Sequence, residues 1–144
     1  MLVNAYIETS IKWPKVGNAV IGIAWSVADQ DARTLFGVAK NVNTYRATLY
    51  GLVNVLQRVQ QYKTIHVHTS CSQVGSALEQ HWPEAWNKSR WRGSNGIVVV
   101  NADLWSEVLE LTKGKDIVVH FNEFNGYRKW LLAECARRAK KYER

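Results

Sequence analysis

The chain has 144 residues, 47% of them apolar, seven tryptophans and a formal charge of +7. That is the length of one domain, 1–144, able to bury a core without disulfides or metals. No apolar run spans a bilayer, the N-terminus lacks a signal-peptide layout, and the basic excess favours a polyanionic partner. The expectation is therefore a cytoplasmic or nuclear protein with no membrane contact. Cys71 and Cys135 show neither metal-ligand spacing nor a disulfide framework. Both read as reduced thiols.

The first strand is read over Leu2–Glu8, with Val3, Ala5 and Ile7 on one face and Tyr6 and Glu8 on the other. "KWPKVGN" (12–18) is a turn region and "AVIGIAWSV" (19–27) a near-continuous apolar strand. After the turn "ADQDA" (28–32), "RTLFGVA" (33–39) completes an antiparallel meander. Asn43 or Thr44 can cap a helix in which Leu49, Leu52, Val53, Leu56 and Val59 recur at helical spacing. A fourth strand over 64–69 feeds a second helix at about 72–80. "HWPEAWNKSRWRGSNG" (81–96) is a polar, aromatic, basic excursion with room for a further helix. "NADLWSEVLELT" (101–112) is a helix capped by Asn101 or Asp103, with Leu104, Trp105, Val108 and Leu109 inward. "DIVVHF" (116–121) is the fifth strand. The last helix spans about 128–142, with Leu131, Leu132, Cys135, Ala136 and Ala139 as its inner face. The order βββαβα(α)αβα implies an α/β fold: a five-stranded mixed sheet, three strands antiparallel and then two parallel, with helices on both faces.

Several stretches carry chemistry-bearing residues at element ends. "YIETS" (6–10) closes the first strand, "HTSCSQV" (68–74) the fourth, and "NTYRATLYGLVNVL" (43–56) forms the first helix. Trp82, Trp86 and Trp91 are interleaved with Lys88, Arg90 and Arg92, and "VNADLW" (100–105) opens a helix. In this order and at these intervals, over nearly the whole chain, the pieces resemble the type 1 ribonuclease H family, including the RNase H domains of reverse transcriptases. "VNADLW" is similar to the family's Asn-x-Asp-Leu-Trp helix start, and the Trp-rich excursion to its basic handle.

The resemblance implies an RNase H-like fold. It also implies a two-metal site built from four carboxylates, because two Mg²⁺ ions side by side need several anionic ligands. This chain departs from that pattern. The first place holds Glu8, one methylene longer than the family's Asp. The second holds Thr48. The third, where the family reads Thr-Asp-Ser-Gln, holds Ser70 or Cys71, depending on register. The fourth is Glu134 or Ala133. In "NEFNG" (122–126) Phe124 stands where the family has a mobile-loop histidine, and "IKWPKVGN" replaces its Gly-rich loop, adding Trp13 and two lysines.

Plain structural roles stand beside the functional ones. Glu8 fits a polar strand end and Glu134 a solvated helix face. His66 and His68 fit a polar strand face or a pair of metal ligands. Trp82 and Trp86 fit packing against the helix at Asn101, which leaves Trp91, between two arginines, as the exposed contact. The resemblance places Asn43, Arg46 and Asn101 at family positions on the backbone of a bound RNA–DNA hybrid, and they also fit two helix caps and a surface charge.

The expected function is a catalytically inactive RNase H-like domain kept for nucleic-acid binding, with RNA or an RNA–DNA hybrid ahead of DNA. Its contacts would be Asn43, Arg46, Lys88, Arg90, Trp91, Arg92 and Asn101. The alternative is a protein-interaction or scaffold domain of a larger assembly. A third reading is a ribonuclease H with a metal site rebuilt on Glu8 and Glu134. Only the third calls for Mg²⁺, and no cofactor is expected otherwise. Descent from a retroelement or from a host ribonuclease fits equally.

Overall fold

The computed structural model describes residues 2–28 and 30–142. Its elements are β1 (Leu2–Thr9), β2 (Gly17–Val27), β3 (Arg33–Val42), α1 (Thr44–Arg58), β4 (Thr64–Thr69), α2 (Ser72–Glu79), α3 (Trp82–Lys88), α4 (Ala102–Leu111), β5 (Asp116–Phe121) and α5 (Arg128–Ala139). A 3₁₀ turn over Lys140–Tyr142 follows α5. The strands form one sheet in the order β3-β2-β1-β4-β5. β1–β2 and β2–β3 are antiparallel, and β1–β4 and β4–β5 are parallel. This is the five-stranded mixed sheet with helices on both faces that the element order implied. The optional helix in the basic excursion is present as α3.

Alternation along β1 explains the layering. Val3, Ala5 and Ile7 are fully buried on the face that carries α1, whose own inward residues include Ala47, Leu49, Leu52, Val55 and Leu56. Gly51 lets α1 approach closely, since a Cβ there would lie 2.6 Å from Ile7 Cγ2. The opposite face carries Tyr6 and Glu8, and α5 covers it across β1 and β2. Leu131 and Cys135 are its buried contacts, with Gly22 of β2 leaving them room. Ala136, read as part of that inner face, is exposed. The short α5 presents one narrow apolar stripe, and Ala136 falls just beyond it.

One helix start differs from its expected cap. Asn43 does cap α1, its Oδ1 accepting from Arg46 N at 2.9 Å. Asn101 occupies the position before α4 but has a left-handed backbone, φ 62°, and makes no side-chain cap. Asp103 already lies inside the first turn, where its carboxylate pairs with Arg46. Asn125 Oδ1 accepts from Tyr127 N and Arg128 N at 3.1 and 2.8 Å, so the loop before α5 supplies the cap that α5 needs.

Candidate functional site

The parallel pairing of Ile7 with Thr69 sets the register at the sheet's centre. One residue beyond that pair, Ser70 meets Glu8, and Ser70 Oγ donates to Glu8 Oε2 at 2.9 Å. Glu8 is 4% exposed. Burial pushes its carboxyl up to about 7, an effect that the Ser70 hydroxyl and the nearby Arg128 only partly offset. Cys71 is buried at the start of α2, and burial pushes its thiol up as well. A thiol held in that form is a poor nucleophile.

The other three places contribute no carboxylate beside Glu8. Thr48 is buried in α1, and its hydroxyl donates to Thr44 O at 2.8 Å, one turn back. Glu134 lies on the outer side of α5, its oxygens accepting from Arg137 at 3.2 and 2.8 Å and from Arg138 at 3.4 Å. Ala133 is exposed beside it, while Cys135 turns inward with Sγ 3.6 Å from Glu8 O. Phe124 is 95% exposed. Among the described residues, no three His, Cys, Asp or Glu side chains converge on a metal position. A pair of Mg²⁺ ions does not fit this donor set. One half-protonated carboxyl and two hydroxyls cannot neutralise four positive charges.

The space in front of Glu8 is an open cleft of about 630 Å³. Lys12 and Trp13 from the β1–β2 loop line it, with Thr44, Gln73 and Arg128. The extra Trp and Lys of that loop were visible in the sequence, but the presence of Arg128 beside them was not. Only the packing of α5 across β1 brings it there.

The handle residues form a second group. Trp82, Trp86 and Trp105 pack in a tier of tilted and edge-to-face rings with centroids 6.1 and 6.0 Å apart, and Trp105 Nε1 donates to Tyr45 Oη at 2.7 Å. This aromatic column ties the excursion to α4 and α1. Arg90 and Trp91 both adopt left-handed backbones. Trp91 N then donates back to Trp86 O at 2.7 Å, and Trp91 O accepts from Val99 N at 2.8 Å. The turn folds the Trp91 ring against the core, so the expectation of an exposed Trp91 is corrected. Trp82, assigned to packing, is instead 44% exposed at the outer end of the column. Lys88, Arg90 and Arg92 face solvent, with Arg92 Nη1 donating to Gly96 O at 2.9 Å.

Asn43, Arg46 and Asn101 do come together. Arg46 Nη1 donates to Asn101 Oδ1 at 2.9 Å, and its guanidinium forms a forked pair with Asp103 at 3.1 and 2.8 Å. That pairing raises the Arg46 pKa further and lowers that of Asp103. Arg46 is therefore held in place by an internal carboxylate, with part of its charge already answered.

His66 and His68 have a partner that sequence reasoning missed. His120 of β5 stacks on both, at centroid distances of 5.0 and 4.6 Å, and Tyr6 stacks on His68 at 4.5 Å. His66 Nδ1 lies 2.8 Å from His120 Nε2, and His120 Nδ1 lies 3.1 Å from Glu123 Oε2. Burial, with the neighbouring rings, lowers His68 to about 4. The signal was available in the shared strand parity of His66, His68 and His120, but only the β4–β5 register makes them neighbours.

No protein-family model matches the chain. Similarity in sequence is found to ribonuclease H of Caldicellulosiruptor saccharolyticus, 28% identical over 95 residues, 66% of this chain and 64% of that protein. Ribonuclease H of Chlorobium phaeovibrioides is 27% identical over 88 residues, 61% of this chain and 60% of that protein. The matched region spans less than two thirds of either relative. RNase H1 of Halobacterium salinarum superposes with a TM-score of 0.68 over 99% of both chains at 15% identity. The chain is an RNase H-like domain. The foamy virus RNase H domain shares its fold at a TM-score of 0.72, over 98% of this chain and 94% of that one, with 13% identity. So does the foamy viral protease-reverse transcriptase in complex with an RNA/DNA hybrid, at 0.74 and 9% identity, over 97% of this chain and 19% of that one. Within this RNase H-like domain, β1, α1, β4 and α5 are the elements that carry the four acidic places described above, and Glu8 is the only buried carboxyl among the described residues there.

Proposed function

We propose that this RNase H-like domain is catalytically inactive and is retained to bind nucleic acid, an RNA strand or an RNA–DNA hybrid. One observation carries the reading. Around a buried Glu8, the neighbouring acidic places hold Ser70 and Thr48, whose hydroxyls are engaged by Glu8 and by the Thr44 carbonyl. Meanwhile the basic handle persists, braced by the Trp82–Trp86–Trp105 column, with Lys88, Arg90 and Arg92 outward. Phosphate binding needs no metal and no exact geometry, so it survives the loss of the carboxylates. The foamy viral relative in complex with an RNA/DNA hybrid supports the ligand class.

The test has two parts. Purified protein with Mg²⁺ or Mn²⁺ leaves an RNA–DNA hybrid uncut, and cleavage that disappears in Glu8→Gln would overturn the inactive reading. Binding to RNA, duplex DNA and hybrid is then measured over a salt series. Replacing Lys88, Arg90 and Arg92 by Ala weakens binding at all sequences. It also flattens the slope of log K against log[salt] by about 0.9 for each duplex phosphate that is no longer neutralised.

A scaffold role has one observation in its favour. Ile97, Val98 and Val100 at the handle's outer loop are 66%, 52% and 69% exposed. Nucleic-acid affinity that ignores both salt and the handle changes would leave that reading in place.

A further inference from the structure

The cleft in front of Glu8 has the wrong sign of charge for holding cations. Its lining carries two basic side chains, Lys12 and Arg128, against a single acid, Glu8. Among the described residues, neither basic group has a carboxylate within 4.0 Å. Glu8 lies at the floor, buried, with one oxygen held by Ser70. The mouth is therefore cationic where the family's pattern would make it anionic.

Trp13 gives this cleft a second feature. It is 61% exposed, although an indole is among the costlier groups to leave in water. The ring stands between the cleft and an adjoining groove of about 580 Å³, and both spaces share Ile11, Lys12 and Trp13. Lys15 lies on the groove side. An exposed aromatic ring with cations on either side is the arrangement that holds single strands. Phosphates are neutralised along the track, and a base of any identity stacks on the ring.

We propose that this cleft binds a backbone phosphate of a single nucleic-acid strand directly, without metal, on Lys12 and Arg128, with the adjacent base stacked on Trp13. The proposal rests on the nucleic-acid reading above and adds a binding point separate from the handle. The two missing carboxylates acquire a use in it. An Asp at Ser70 and a Glu at Thr48 would repel the phosphate that Lys12 and Arg128 attract, so their replacement by hydroxyls is what opens the cleft to an anion.

The test uses a fluorescently labelled uridine trinucleotide in EDTA, with binding read by anisotropy. The unmodified domain binds it, and added Mg²⁺ does not strengthen the binding. The double variant Lys12→Ala/Arg128→Ala loses at least tenfold. Trp13→Ala loses between about fivefold and about 150-fold, the range for one stacked base. Arg128→Lys, which keeps the charge, retains most of the affinity, and thermal melts confirm that each variant is folded. Lys113→Ala, which removes an exposed charge outside both the cleft and the handle, binds the trinucleotide as the unmodified domain does. Trinucleotide binding that persists in the cleft double variant, or that requires Mg²⁺, overturns the proposal. A trinucleotide that does not bind, beside a long strand released only by the handle variant, overturns it too and leaves the handle reading intact. Absence of binding to either probe removes both.

Discussion

Replacing Glu8 by Gln isolates the electrostatics of the central carboxyl. In the fold Glu8 titrates at about 7, against an ordinary value of 4.5. Between those two values the folded protein keeps a proton that the unfolded chain has released. Stability therefore falls as pH rises: the contribution is fully present below 4.5 and lost once pH passes 7. The difference of 2.5 pH units, at 1.36 kcal/mol per unit, amounts to about 3 kcal/mol. Gln keeps the acceptor for Ser70 Oγ and has nothing to ionise. Urea melts of both proteins at half-unit steps from about pH 4 to about pH 8 read the effect. Subtracting one from the other cancels every other titrating group. The Gln variant gains on the unmodified protein by about 3 kcal/mol across the range, roughly 10 °C in Tm for a chain of this size. Most of the gain falls between about pH 5 and about pH 7. A difference that stays constant with pH would mean that Glu8 is ionised at an ordinary pKa. Even an ionised Glu8 would leave the site a single carboxylate, too few for a metal pair.

His68 works in the opposite direction. Its lowered pKa contributes stability that is present above 6.5 and lost as pH falls through about 4, and His68→Phe should reduce that acid-side loss by about 1–2 kcal/mol after allowance for partial solvent exposure. Trp91→Ala should destabilise the fold by about 2–3 kcal/mol in urea melts, because the ring packs on the core; a change under about 0.5 kcal/mol would return Trp91 to the surface. Thr48→Glu with Ser70→Asp should lower stability without metal and recover about 1.4 kcal/mol when Mg²⁺ is tenfold above its Kd; a melting temperature unmoved by Mg²⁺ would mean that these positions do not face a common point. Gly51→Ala should cost about 1–3 kcal/mol through overpacking against Ile7 and Ile21, read in the same urea melts.

Much of this domain was determined by the sequence alone. Alternation in Leu2–Glu8, the continuous apolar run of β2 and the helical spacing of Leu49, Leu52 and Leu56 are local patterns, and local patterns set local structure. The motif order then implied the sheet, and the sheet formed as implied. Missing carboxylates were equally legible, since Thr48 cannot carry a charge in any fold. Other features depend on contacts between residues far apart in the chain. Whether Ser70 or Cys71 meets Glu8 turns on a one-residue register between β1 and β4, and a one-residue slip reverses which side chain faces the site. Trp91 folds against the core because two consecutive left-handed residues turn the chain back on α3, and those torsions leave no periodic trace. Arg128 reaches the cleft, and His120 the histidine stack, only through packing of α5 on β1 and pairing of β5 with β4. Residue type is written one position at a time. Proximity, and with it the charge of the cleft and the proton on Glu8, comes from bringing residues together over separations of fifty to more than a hundred positions.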